Sequence, residues 1–319
     1  MSEHVPLTDA AMQLVAAEFG LGEVVAHEGP TGRGEAGFVV RLTTGTGSWA
    51  VKQLIEPEVE ADVREDVELV AAARKSGVPT PAMRTTRAGT VLLDVEGQQV
   101  RVSEFAELRD VDPMLDPAAV GATLAALHRT PYVGTRGEDP WFRAAIGAPR
   151  WDELDASLTA AGASFAGDLA AMRDELVALE ELLVDPHDVR TCHRDLFPEN
   201  LRGTASGSVC VIDWDGHGLA GLSQELAMVV WGFAAGRADR ARAIVDNYMA
   251  DGGPGRVRSP GDFTMLIAAL GHINERACTR WLDHPPGDPE RDRMAALFGE
   301  SVENPLTRRT IEELLDAVG

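Results

Sequence analysis

The run Cys192-His193-Arg194-Asp195-Leu196-Phe197-Pro198-Glu199-Asn200-Leu201 sets an Asn five residues after an Asp that follows His-Arg. An apolar stretch, Val209-Cys210-Val211-Ile212, then ends on Asp213-Trp214-Asp215. Side chains of these types in this order suit phosphoryl transfer. One carboxylate must orient the attacking hydroxyl and accept its proton, and Asp195 is placed for that task. An amide oxygen and a second carboxylate must hold Mg²⁺ against the phosphate oxygens. Asn200 and Asp213 offer the hard oxygen ligands that Mg²⁺ prefers. A single Asp-Asn spacing carries little information; the order of further features along the chain gives it weight.

Upstream, the tight turn Thr44-Gly45-Thr46-Gly47 leads into Ser48-Trp49-Ala50-Val51-Lys52-Gln53-Leu54, a strand with a single Lys. With Val24-Val25 and Gly37 to Leu42 before it, this is the third strand of a β-rich segment. From that position a kinase Lys reaches the α- and β-phosphates. Glu58 to Lys75 reads as an acidic helix, stopped by Gly77 and the Pro79/Pro81 pair. It offers Glu65, Asp66 and Glu68 as ion-pair partners for Lys52, and Glu65 is the choice among them. The alternative is that all three lie on a solvated face. Gly32 and Gly34, in the loop between the first two strands, are candidate nucleotide contacts, the alternative being ordinary hairpin glycines.

The elements that must position these residues divide into two sets. Hairpin strands at 91–95 and 100–105 complete a strand-rich N-terminal lobe. From Pro117 onward helices dominate: 118–128, two within 151–183, 222–236, 262–282 and 306–318. The expected architecture is α+β and bilobal, with a β-rich N-lobe (1–102), a hinge (103–108) and a mainly helical C-lobe (109–319). No run approaches membrane-spanning length. Three Cys among 319 residues argue against a disulfide framework, and Cys192 and Cys210 with His193 form no zinc pattern. A cytoplasmic location is expected. The balance of 29 basic against 51 acidic residues, net −22, disfavours nucleic acid and anionic membranes as partners.

The chain resembles the aminoglycoside phosphotransferase and choline-kinase-like family. The residues that carry the resemblance are Ala50-Val51-Lys52, Gly77-Val78-Pro79-Thr80-Pro81, Leu124-Ala125-Ala126-Leu127-His128, the catalytic-loop run and Ile212-Asp213-Trp214-Asp215. The resemblance implies a bilobal protein-kinase-like fold, ATP or GTP as donor, Mg²⁺ as cofactor and a small-molecule hydroxyl as acceptor. It implies Asp195 as base, Asn200 and Asp213 as metal ligands, and backbone near Ser103 and Phe105 as the nucleobase site. Arg194, where the family usually has a small residue, resembles protein kinases instead. Glu225 stands where the family commonly has Asp, and is expected to accept backbone N–H groups of the catalytic loop.

For the acceptor, the acidic balance is read either as solubility or as recognition of a cation. On the second reading the acceptor is an aminoglycoside-like or other cationic antibiotic or amino sugar, with Asp215, Glu275 and Asp283 as candidate contacts, the alternative being that these are surface carboxylates of an acidic protein. The alternatives are a metabolic or macrolide kinase with a neutral acceptor, and a catalytically inactive nucleotide-binding pseudokinase. Intact Lys52, Asp195, Asn200 and Asp213 argue against the last.

Overall fold

The computed structural model describes residues 6–33 and 37–319. In chain order the elements begin α1 (Asp9–Glu18), β1 (Val24–Arg33), β2 (Gly37–Thr44), β3 (Gly47–Leu54), α2 (Glu60–Lys75), β4 (Leu93–Val95) and β5 (Gln98–Glu104). They continue α3 (Pro117–His128), α4 (Ala148–Ala161), α5 (Ala166–Glu180), β6 (Val189–Cys192), β7 (Leu201–Gly203), β8 (Val209–Val211) and β9 (Gly218–Gly221). The last are α6 (Leu222–Ala234), α7 (Ala238–Ala250), α8 (Thr264–Asp283), α9 (Pro289–Glu303) and α10 (Arg308–Val318). Two compact units result. The first comprises Met1–Asp112, Arg129–Thr135 and Pro198–His217; the second comprises Pro113–His128, Arg136–Phe197 and Gly218–Gly319.

In the first unit an antiparallel sheet runs in the order β1-β2-β3-β5-β4. Period-two alternation sends Trp49 and Val51 of β3, and Val100 and Val102 of β5, into one core with Leu42, Met12 and Val15. Helix α1 covers that core, its N-terminus capped by the Thr8 hydroxyl, which accepts from the Ala11 N–H at 3.2 Å. The alternation turns Lys52 to the opposite face of the sheet. The hairpin β7–β8 belongs to this unit because its backbone is tied to two earlier segments. Val211 N–H donates to Pro79 O at 2.7 Å, and Arg109 N–H to Gly203 O at 2.8 Å. Compared with the expected cut at 103–108, Pro198–His217 therefore groups with the sheet.

The second unit is helical around Trp151, Leu154, Leu169, Cys278, Trp281 and Phe298. The Glu180 carboxylate accepts from Ile146 N–H and Gly147 N–H, each at 3.0 Å, and from Trp151 Nε1–H at 2.9 Å. It thereby supplies an anion to the N-terminal end of α4. Helices α3 and α7 approach closely at Gly121, where a Cβ would stand 2.5 Å from Ile244 O and 2.8 Å from Tyr248 N. Only glycine permits that approach. Helices α7 and α9 lie outside the expected set, although Ala241, Ile244, Val245 and Tyr248 are buried at helical spacing. Helix α9 buries only Met294 and Phe298, too thin a stripe to stand out from its charged neighbours. Among the described residues no helix is long and apolar enough to cross a membrane.

Candidate active site

In the first unit the phosphate-binding candidates gather beside the sheet. Register places Lys52 on β3 directly opposite Arg101 on β5, so two cations share one face. Asp215 lies between them. Its Oδ2 is 2.7 Å from Lys52 Nζ, and its Oδ1 accepts from Arg101 Nη2. Lys52 Nζ also donates to Asp213 Oδ1 at 3.3 Å. On its far side Arg101 Nη1 donates to Asp66 Oδ2 of α2 at 3.2 Å and lies 3.5 Å from Glu58 Oε2. Burial opposes ionisation of Asp215, but the charges of Arg101 and Lys52 hold its carboxyl well below the usual carboxylate range. Burial raises Glu58, and Arg101 offsets that only in part.

Lys52 does not pair with Glu65, and helical phase explains why. The inward stripe of α2 is Val63, Asp66, Leu69, Val70 and Ala73, so Asp66 points to the sheet and Glu65 is turned about 100° away. Glu65 instead accepts from Thr135 N–H at 2.8 Å and from the Thr135 hydroxyl. Asp215, expected among acceptor contacts, is spent between Lys52 and Arg101. Sequence reading missed Arg101; its signal was a charge inside the apolar alternation Val100-Arg101-Val102.

Part of the backbone expected to meet a nucleobase at Ser103 and Phe105 is engaged within the sheet. Phe105 N–H donates to Ser48 O at 3.0 Å, and the antiparallel alternation then makes Ser103 and Ala50 a hydrogen-bonded pair. Strand β5 ends at Glu104, within the expected hinge, and its pairing to β3 continues through Phe105. Gly32 pairs with Val39 near the end of β1, a strand longer than the expected Val24-Val25. Gly34 lies outside the described residues.

Asn200 and Asp213 flank the hairpin β7–β8. Ile212 N–H donates to Asn200 O at 2.9 Å, which ties the main chain before Asp213 to Asn200 itself. Asp213 adopts φ +59°, a left-handed conformation uncommon for a residue with a Cβ. Its carboxylate is 44% exposed, whereas Asn200 is buried. An amide oxygen and an open carboxylate, both hard donors, fit a magnesium ion that also contacts phosphate.

In the second unit Asp195 follows β6 and is half-buried. Arg194 before it has φ +69°, and its N–H donates to Glu225 Oε1 at 2.6 Å. Glu225, on α6, is fully buried. Its other oxygen is 2.7 Å from His128 Nε2, and His128 Nδ1 is 2.7 Å from the Tyr248 hydroxyl. Gly255 N–H donates to that hydroxyl at 2.8 Å. Every donor meets an acceptor when His128 carries its proton on Nε2 and Tyr248 O–H donates to Nδ1. The loop carrying Asp195 is thus held from the core by Glu225, as its position in sequence suggested.

The two remaining acceptor candidates fare differently. Glu275 accepts from Arg150 Nε at 2.9 Å and Nη2 at 2.6 Å, and from the Thr279 hydroxyl at 2.9 Å. It is a paired carboxylate and not one awaiting a cationic ligand. Asp283 is exposed at the last position of α8.

The chain is 27% identical to the homoserine kinase of Methylorubrum populi, over 93% of this chain and 95% of that one. Among solved structures it is similar to a spectinomycin phosphotransferase in complex with ADP and spectinomycin (TM-score 0.70, 15% identity, 98% and 99% of the two chains). It is also similar to an aminoglycoside phosphotransferase from Alicyclobacillus acidocaldarius (TM-score 0.65, 18% identity, 99% and 98%). At such identity the two structures establish a shared kinase-like α+β fold. The model of the phosphotransferase enzyme family matches residues 31–259, most of the chain. The chain therefore belongs to the phosphotransferase enzyme family and is an ATP-dependent small-molecule phosphotransferase with a hydroxyl group as acceptor.

Proposed function

We propose that the enzyme transfers the γ-phosphoryl group of ATP to the hydroxyl of a small amino acid or amino alcohol, with homoserine the first candidate. Asp195 is the base that orients the hydroxyl and accepts its proton. Lys52 binds the α- and β-phosphates, and Asn200 with Asp213 would hold Mg²⁺. When bound, Mg²⁺ neutralises charge on the phosphate oxygens. The observation that carries the reading is the approach of Lys52 Nζ to Asp213 Oδ1, at 3.3 Å across 161 residues of sequence. A phosphate cation and a metal carboxylate at such a distance have a shared purpose in a phosphotransferase.

Two observations favour a small acceptor over a polycationic antibiotic. The homoserine kinase matches over nearly the whole chain. Of the three carboxylates expected to meet ammonium groups, Asp215 and Glu275 are already neutralised by cations of the chain itself. The acidic surplus then serves solubility.

The test is ADP release from MgATP in the presence of homoserine, other hydroxy amino acids, amino alcohols and a panel of aminoglycosides. Homoserine or a compound of its class should stimulate release well above the acceptor-free rate. Stimulation by aminoglycosides, with all small amino alcohols and hydroxy amino acids silent, would overturn the acceptor assignment.

A further inference from the structure

We infer that Asp215 is the positioning residue that holds Lys52 for the nucleotide phosphates, and that Arg101 ties it to α2 in place of a direct carboxylate from that helix. The inference rests on the reading of Lys52 as a phosphate-binding residue. Four observations carry it. Lys52 and Arg101 are cross-strand neighbours, and two cations so placed repel unless an anion lies between them. Asp215 is that anion, with one oxygen on each cation. Arg101 is almost fully buried, and its planar fork uses one nitrogen for Asp215 and the other for Asp66 and Glu58. Asp66 is itself buried, with His217 Nδ1 3.2 Å from its Oδ1. A continuous chain of ion pairs therefore runs from α2 through Asp66, Arg101 and Asp215 to Lys52.

The two carboxylates on Lys52 differ in kind. Asp213 is the longer contact, at 3.3 Å, and the more exposed group, at 44% against 29%. A divalent ion would engage Asp213, leaving Asp215 to keep the ammonium in place. The orientation of Lys52 then depends on Asp66 of α2 through Arg101 and Asp215, and not on Glu65, the helix carboxylate that sequence reasoning assigned to it.

The experiment is a calorimetric titration of MgATP into wild type, Lys52→Met, Asp215→Asn and the double variant, with Arg101→Lys alone and combined with Lys52→Met. It needs no acceptor. Lys52→Met should weaken binding. Asp215→Asn should weaken it about tenfold in the wild-type background and by less than about twofold once Lys52 is absent, because it acts through Lys52. Arg101→Lys, which keeps the charge and loses the fork, should follow the same pattern. Asp215→Asn leaves two cations face to face, so thermal unfolding accompanies each titration. The double variant removes one of those cations and keeps the comparison available. Unchanged affinity on Asp215→Asn would overturn the inference. So would an equal loss in both backgrounds with a shifted Mg²⁺ dependence, which would make Asp215 a metal ligand. If Lys52→Met itself leaves affinity unchanged, the nucleotide site lies elsewhere and both readings fall.

Discussion

Glu225 accepts the Arg194 backbone N–H at 2.6 Å from within the helical core, one residue before Asp195. The contact stabilises a residue at φ +69° that has no glycine's freedom. Glu225→Ala should leave that N–H and His128 Nε2–H without an acceptor. The expected cost is about 3 kcal/mol of stability, with a fall in kcat at temperatures where the variant is folded. Chemical unfolding and steady-state kinetics on the same preparation check it.

Acid should expose the same contact. Burial opposes ionisation of Glu225, but its hydrogen bonds from His128 and Arg194 N–H hold the carboxyl below its ordinary 4.5. A depressed folded-state pKa gives stability that is complete above the unfolded value and is lost as pH falls through the folded one. The Tm gap between wild type and Glu225→Gln should therefore narrow as pH falls below about 4.5. A gap constant down to about pH 3 would show that the charge on Glu225 contributes nothing.

Gly121→Ala should cost about 1–3 kcal/mol by overpacking α3 against α7, where the new methyl meets the backbone of Ile244 and Tyr248. Because α3 ends at His128 and α7 carries Tyr248, kcat should fall as well, with MgATP affinity retained. Thermal melts and nucleotide titration separate the two effects.

The three thiols should be inert in the folded protein. All are buried; burial pushes Cys210 up to about 11 and Cys278 up to about 12, and raises Cys192 strongly. Iodoacetamide at pH 8 should label none of them natively and all three after denaturation. Native labelling of Cys192 at a denatured-state rate would mean that β6 opens readily.

The run 192–201 could be singled out as a candidate catalytic loop because its residues are close in sequence and their chemistry leaves few other uses. The strand carrying Lys52 was legible from alternation and turn residues. The ion pairs were not, because Lys52 and Asp215 meet only through strand register and the return of a hairpin more than 160 residues later. Asp66 could have been preferred to Glu65 from the helical stripe Val63-Asp66-Val70-Ala73, since a charged residue on an apolar stripe must face a buried partner. Glu275 misled for the opposite reason. A carboxylate on a helix looks available until the Arg150 that neutralises it, 125 residues away, is in view. The engagement of Phe105 N–H by Ser48 O was not legible, because it follows from the register of β5 on β3, two segments about fifty residues apart, and not from either strand alone.

Asp213→Ala should abolish Mg²⁺-dependent ATP binding while the far-ultraviolet circular dichroism remains native. Titration of ATP at several Mg²⁺ concentrations is the check. Affinity and metal dependence equal to wild type would move the metal site away from the β7–β8 hairpin.

Paired measurement of MgATP affinity and acceptor-dependent ADP release for wild type and Asp195→Asn tests the phosphotransfer assignment most directly. The account predicts affinity within about threefold of wild type, and turnover lower by roughly two to four orders of magnitude, the span of general-base and orientation effects. Turnover within about threefold of wild type would remove Asp195 from the mechanism.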